Sequence, residues 1–140
     1  MFDALQATVK SAAAGLTAQS TRMRVASENL ANAQSTGETA GSDPYRRKLV
    51  NFSGVMDEAS GADLVTVDSI TRDKTPFRTE YKPGHPAADE QGYVKMPNVD
   101  MLVETADMRE ASRSYSANLQ VIKQAREMVS MTIDLLKGNT

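Results

Sequence analysis

The chain has 140 residues, no cysteine and no tryptophan, and only 5% of its residues are aromatic. This length is typical of one domain, and the scarcity of aromatic residues does not favour a large three-dimensional core. The lack of cysteine excludes disulfide bonds and cysteine-ligated metals. The formal net charge is −2 and the basic residues are dispersed, so the sequence has no basic face of the kind that nucleic-acid binding requires.

Residues 1–33 predict a long helix with an apolar seam. Large apolar residues recur at the seven-residue spacing of a coiled-coil helix, with smaller residues at the alternate positions. Gln19 is the polar residue of the alternate set and a candidate marker of register. The alternative interpretation is a helix of an ordinary bundle. The predicted seam residues that serve assembly are Phe2, Leu5, Val9, Leu16, Met23 and Leu30.

The middle segment, residues 34–97, predicts turns and short extended pieces. Residues 34–44 are a polar loop and residues 53–61 are a loop or weak element, because both are rich in small, polar and turn-forming residues. We interpret the basic triplet at residues 46–48 as a solvated strand face. Three or four strands do not make an independent sandwich, so we expect a small β appendage or extended arms. The predicted strands are residues 45–52, 63–71, 75–81 and 93–96.

Residues 98–140 predict a second long helix, with Pro97 as a break and Asn98 as the N-cap. Such a helix would be roughly 55 Å long, too long to be covered by a compact globule of this size, so it requires a partner. The positions three residues after each seam residue are mostly small or polar: Glu104, Ala111, Asn118, Ala125 and Thr132. The seam residues that serve assembly are Met101, Met108, Tyr115, Ile122, Val129 and Leu136.

Together these patterns predict a mainly α fold. The N- and C-terminal helices would pair as an antiparallel coiled coil, with a small irregular or β middle segment carried between them. The chain then divides into residues 1–33, 34–97 and 98–140 of one core domain. The seams bury little apolar surface for the number of residues that must be ordered. We therefore expect the helices to fray in the monomer and to become ordered when they pack side by side.

No active site can be assembled from this sequence. His85 is the only histidine and lies in a predicted turn. Asp100, Glu104 and Asp107 share one side of the second helix at a spacing compatible with a hard cation, although a helix N-terminus also favours such residues. Nucleophile and phosphate-loop motifs are lacking. We expect no enzyme, no cofactor, no metal and no membrane span, and the N-terminus lacks the features of a cleaved secretory signal.

Four motifs resemble the bacterial flagellar rod and hook axial proteins. Residues 18–33 look like the N-terminal signature of that family. Residues 44–48, 92–99 and 108–118 are similar to the proximal rod members in particular, and the resemblance covers nearly the whole chain. The core of the signature is Asn29, Leu30, Ala31, Asn32 and Ala33.

The resemblance implies a structural subunit of the flagellar basal-body rod, the proximal part of the drive shaft that transmits torque across the periplasm. Its terminal helices would pack in a helical tube around the export channel, and the chain would leave the cytosol by type III export without a cleaved signal peptide. The implied partners are copies of itself, the other proximal and distal rod proteins, the adaptor between rod and MS ring, the MS ring and the export apparatus. Alternatives are another axial subunit or a cytosolic helical adaptor protein.

The resemblance also suggests a role for two asparagines of the signature. Our hypothesis is that Asn29 and Asn32 satisfy backbone groups at the helix end or across a subunit junction. The alternative is that they only cap and terminate the helix.

Overall fold

A computed structural model describes residues 2–138, and of Phe2 the backbone only. The predicted ends at residues 1 and 139–140, and the side chain of the seam residue Phe2, lie outside the described residues. The mainly helical architecture with a small β middle is confirmed. In chain order the elements are α1 (Phe2–Ala31), β1 (Lys48–Asp57), β2 (Ala62–Arg72), β3 (Arg78–Tyr81), β4 (Tyr93–Met96) and α2 (Met101–Gly138).

The two helices pack side by side. Asn29 of α1 hydrogen-bonds Glu104 of α2, and Arg22 pairs with Asp107. Further along, a Cβ added to Gly15 would lie 2.5 Å from Asn118 Nδ2. Residues 29, 22 and 15 of α1 thus contact residues 104, 107 and 118 of α2, so the residue numbers of the contacts increase along α2 as they decrease along α1. A glycine at position 15 permits this close approach, because any side chain there would displace Asn118.

Small and polar residues, rather than the large apolar ones, form the closest contact between the helices. Ala111, Ala125 and Glu104 are the buried residues of α2; they belong to the positions three residues after the predicted seam. The large seam residues flank this contact. Those that are half-buried are Leu5, Val9, Leu16, Met23, Leu30, Met108, Tyr115, Ile122 and Val129, while Met101 and Leu136 are exposed.

β1 and β2 form an antiparallel ribbon from Lys48 paired with Arg72 to Asp57 paired with Ala62. The ribbon lies against α1, since Lys10 Nζ is 2.8 Å from Asp57 Oδ2 and Ser11 Oγ donates to the Asp63 carbonyl at 3.1 Å. Of the two alternatives for residues 53–61, an element or a loop, the first holds for residues 53–57, which belong to β1. Pairing with β2 and packing on α1 keep residues 53–57 extended despite their weak strand propensity, and only residues 58–61 turn.

β3 and β4 form a second, shorter antiparallel pair, from Arg78 paired with Met96 to Tyr81 paired with Tyr93. Val94 and Met96 pack on Ala87 to make a small buried cluster. The strand predicted at residues 93–96 is confirmed. The strand predicted at residues 75–81 begins only at residue 78, because the residues before it belong to a turn in which the Thr75 N–H donates to Asp73 Oδ1 at 2.9 Å.

The N-cap of α2 is Asp100 and not the predicted Asn98. Asp100 Oδ1 accepts the N–H groups of Leu102 and Val103 at 2.9 and 3.3 Å. The Asn98 side chain is already engaged elsewhere, accepting the Arg47 N–H at 2.8 Å and donating to the Thr75 carbonyl at 3.1 Å. Both residue types are good N-caps, so the tertiary contact decides which of them serves.

Candidate functional site

The buried side chain of Asn29 joins three elements of the fold. Its Oδ1 accepts the Lys48 N–H at 2.9 Å and the Tyr45 hydroxyl at 2.8 Å. Its Nδ2 donates to the Lys48 carbonyl at 2.9 Å and to Glu104 Oε2 at 3.0 Å. The amide thus binds both backbone groups of Lys48, as a neighbouring strand would, and at the same time anchors α2. One side chain ties α1, β1 and α2 together.

The second centre of this network is the ion pair of Arg47 and Glu104. Glu104 is 1% exposed, and Arg47 Nε donates to its Oε1 at 2.5 Å. Arg47 Nη1 also lies 3.4 Å from Asp73 Oδ2. Burial acts against the charge of Arg47, but the bonds to Glu104 and Asp73 outweigh it and hold the pKa of Arg47 above its ordinary value. We call Asn29, Tyr45, Arg47 and Glu104 the polar junction.

Charges around the polar junction are paired as well. The Thr75 backbone N–H and hydroxyl, and then Arg47, lower the pKa of Asp73. Lys48 Nζ lies 2.8 Å from Glu28 Oε2. Arg22 donates to Asp107, and this hydrogen bond raises the pKa of Arg22. Such charge-assisted bonds are stronger than neutral ones, so the region where the ribbon meets the two helices is held by directional contacts.

The basic triplet is therefore not the solvated face that we interpreted from the sequence. Arg47 and Lys48 face acidic partners within the chain. Arg46 donates to the carbonyls of Asp73 and Thr75 at 2.9 and 3.1 Å, and its guanidinium lies 4.1 Å from the centre of the Phe77 ring. All three cations therefore act as internal connectors.

The signature residues lie where α1 ends and meets the rest of the fold. Asn29 binds backbone groups, but those of strand β1 and not those of the helix end. Asn32 Nδ2 donates to the Glu28 carbonyl at 2.8 Å, and the Asn32 carbonyl accepts the Ser35 N–H at 3.1 Å, so Asn32 closes the helix. Ala33 is buried, Leu30 is half-buried and Ala31 is exposed.

A large part of the apolar surface of α2 is exposed. Exposed apolar residues mark interaction sites where they form a patch, and on α2 they fall into two groups, one in the first turn and one from residue 119 to the last turn. We call this set the assembly surface. Its members are Met101, Leu102, Val103, Leu119, Val121, Met128, Met131, Ile133, Leu135 and Leu136.

The acidic residues and the histidine considered in the sequence analysis have structural roles in the described part of the chain. Within residues 2–138 no group of three or more His, Asp or Glu side chains could hold a metal ion. Asp100 caps α2, while Glu104 and Asp107 each pair with an arginine, so these carboxylates have separate structural roles. His85 Nδ1 accepts the Ala87 N–H at 3.1 Å within a turn.

Two further observations bear on the sequence-based expectations. Over residues 2–138, no helix is both long and apolar enough to cross a membrane. Gln19 Oε1 is buried and has no hydrogen-bond partner among the described residues.

The polar junction could not have been found from the sequence, because Asn29 and Glu104 are 75 residues apart. The exposed apolar residues of α2 could be predicted, because the helix has more large apolar residues than a single seam uses.

Known proteins resemble the chain over almost its entire length. A flagellar basal-body rod protein FlgC of Agrobacterium fabrum is 58% identical over 138 residues, which cover 99% of both chains. The FlgC of Salmonella typhimurium is 44% identical over 126 residues, covering 89% of this chain and 92% of the relative. The FlgC of Bacillus subtilis is 37% identical over 143 residues, covering 89% and 93%. The family model for the C-terminal region of flagellar basal body rod FlgEFG proteins matches residues 90–135.

Proposed function

Because the chain belongs to the FlgC family of flagellar basal-body rod proteins, we propose that it is a structural, non-enzymatic subunit of the bacterial flagellar basal-body rod. The observation that carries the proposal is the assembly surface. Leu102, Leu135 and Leu136 are 78%, 74% and 65% exposed on a helix of 38 residues. Such side chains gain about 1.5–3 kcal/mol each on full burial, and neighbouring subunits are the natural source of that burial.

The finer architecture of the proposal is an antiparallel coiled coil of α1 and α2. The contacts Asn29–Glu104, Arg22–Asp107 and Gly15–Asn118 support opposite directions of the two helices. The large seam residues on either side of this contact remain half-exposed and would pack against neighbouring pairs. A ring of such pairs, repeated helically, would build the wall of the rod around the export channel.

The polar junction suits a part that transmits torque. A shearing load on α2 would reach β1 through Glu104 and Arg47, and α1 through Glu104 and Asn29. Directional bonds resist sliding better than apolar contacts, which are non-directional. On this basis residues 1–33, 34–97 and 98–140 would move as one core domain when the rod rotates.

The proposal extends to location and partners. The subunit would reside in the proximal rod, in the periplasm, after type III export without a cleaved signal peptide. Its neighbours would be copies of itself, the other proximal and distal rod proteins, the adaptor to the MS ring, the MS ring and the export apparatus. The exposed apolar residues on several sides of α2 provide more contact surface than one partner would cover.

The test is complementation of a strain that lacks this chain, with two neighbouring substitutions compared. Leu119→Glu places a charge on the assembly surface, whereas Gln120→Glu adds the same charge at an exposed polar position. We expect the first variant to be made and exported but absent from purified basal bodies, with motility lost, and the second to behave as the unmodified chain. Recovery of the unmodified chain only from the cytosol would contradict the rod function and favour an adaptor.

A further inference from the structure

Two methionines of α2 lie side by side in a groove that α1 and α2 form together. Met128 and Met131 are three residues apart, so they are neighbours on the helix surface, and they are 48% and 61% exposed. The groove has a volume of about 470 Å³. We call it the methionine groove; its lining is Ala4, Leu5, Thr8, Met128, Met131 and Thr132.

Exposure divides the methionines of the chain into those that a dissolved oxidant can reach and those that it cannot. Met56, near the turn of the β1–β2 ribbon, is 66% exposed, whereas Met96 in the small buried cluster is 5% exposed. Oxidation of a thioether requires that the oxidant touch the sulfur. Hydrogen peroxide should therefore react with Met56, Met128 and Met131 and spare Met96.

The reaction changes the character of the side chain completely. A lone pair of the sulfur attacks one oxygen of hydrogen peroxide, the O–O bond breaks, and an S–O bond forms. The oxygen that leaves takes up the remaining protons as water, so the sulfur loses the two electrons that the peroxide gains. The product, methionine sulfoxide, is polar, and methionine sulfoxide reductases convert it back to the thioether.

The side chains of the methionine groove offer no free donor to a sulfoxide oxygen. Thr8 Oγ1 donates to the Ala4 carbonyl at 2.9 Å, and Thr132 Oγ1 donates to the Met128 carbonyl at 2.8 Å. The remaining side chains of the lining are those of alanine, leucine and methionine, which have no donor. Water would have to bind a sulfoxide oxygen here, so an oxidised groove would stay hydrated.

We propose that Met128 and Met131 form a redox-sensitive modification site, at which oxidation by hydrogen peroxide excludes a subunit from the rod until a methionine sulfoxide reductase restores the thioethers. The inference rests on the proposed function, because it requires neighbouring subunits to cover the methionine groove. Covering a sulfoxide would remove its water without supplying a donor, and a buried polar group without a hydrogen bond is unfavourable. A sulfoxide at Met56, at the far end of the ribbon, would remain in water.

Substitutions that imitate each state of the side chain test the proposal in complemented cells. Met131→Gln keeps an unbranched side chain with a polar end and imitates the sulfoxide, whereas Met131→Leu preserves the apolar volume and cannot be oxidised. The matched control is Met56→Gln. We expect Met131→Gln to be made and exported but at least tenfold depleted from purified basal bodies, while Met131→Leu and Met56→Gln match the unmodified chain. Met128→Gln serves if Met131→Gln alters the circular dichroism spectrum.

Peroxide itself provides the second measurement. The purified unmodified chain and isolated basal bodies are treated with hydrogen peroxide, and the sulfoxide at each methionine is quantified by mass spectrometry of peptides. In the purified chain Met96 should react at least tenfold more slowly than Met128 and Met131, and added reductases should remove the sulfoxides. In basal bodies Met128 and Met131 should react at least tenfold more slowly than they do in the purified chain.

Several results would overturn the inference. Recovery of Met131→Gln in basal bodies at the level of the unmodified chain would mean that the groove tolerates a polar group. Equal depletion of Met131→Leu would mean that the loss of methionine, and not the gain of polarity, prevents assembly. Oxidation of Met131 as fast in basal bodies as in the purified chain would show that the groove stays open to water, and it would leave the rod function intact. Absence of even the unmodified chain from basal bodies would remove both.

Discussion

Replacement of Arg47 by methionine should weaken the fold through the charge that it leaves behind. Methionine keeps much of the apolar stem of arginine but none of its donors. Glu104, which is 1% exposed, would lose the guanidinium that pairs with its Oε1 and would retain only Asn29 Nδ2, at 3.0 Å. A buried carboxylate without a cationic partner is costly, whereas a neutral residue of similar size at the same place is not.

The expected loss follows from the burial of the pair. Removal of one partner from a buried ion pair costs about 3–5 kcal/mol. The Arg47 side chain is 22% exposed and that of Glu104 is 2% exposed, so water reaches one edge of the pair and the lower end of the range applies. We therefore expect Arg47→Met to lower the free energy of unfolding by about 3 kcal/mol, roughly a hundredfold change in the folding equilibrium.

Urea unfolding of the purified chain, followed by far-ultraviolet circular dichroism, measures this loss. The matched control is Lys82→Met, which breaks the exposed pair of Lys82 and Glu80, whose side chains are 50% and 42% exposed. Its cost should be about 0–1 kcal/mol. The double variant Arg47→Met, Glu104→Met should be more stable than Arg47→Met alone. The reasoning is refuted if Arg47→Met costs no more than the control, or if the two substitutions are simply additive.

Three further predictions concern the helix contact, acid and assembly. Gly15→Ala should be about 1 kcal/mol more favourable in an Asn118→Ala background than in the unmodified chain, since only there can alanine express its higher helix propensity without a clash; equal effects in urea unfolding would contradict the close approach. Asp73 has a lowered pKa, so its stabilising effect is present above the unfolded value of about 3.9 and is lost as the pH falls through the folded value. Asp73→Asn should flatten the loss of stability below about pH 5, and an unchanged pH profile would count against this role. Helicity should rise with protein concentration as sedimentation reports larger species; full helicity in a dilute monomer would contradict ordering on assembly.

Periodicity in the sequence was sufficient to locate both helices and to show that they have more apolar surface than one pairing uses. Its limits appear at Asn98 and Asp100. Both are suitable N-caps within three residues of the helix start, and the choice between them depends on Arg47, which is 51 residues away from Asn98. Likewise the heptads indicate two alternate faces of α2, and only the fold shows that the face with Glu104, Ala111 and Ala125 is the buried one.

The residues at the helix contact explain why the chain suits assembly better than independence. Small residues such as Ala12, Ala18 and Ala111 are buried, and small residues at a helix contact let the two backbones approach closely. Close approach moves the larger side chains to the flanks, where Tyr115 and Ile122 remain half-buried. A monomer would gain more from burying large residues at its centre, since the gain scales with apolar area. Here the large seam residues remain half-buried at the flanks, and we expect neighbouring subunits to cover the apolar surface that they leave exposed.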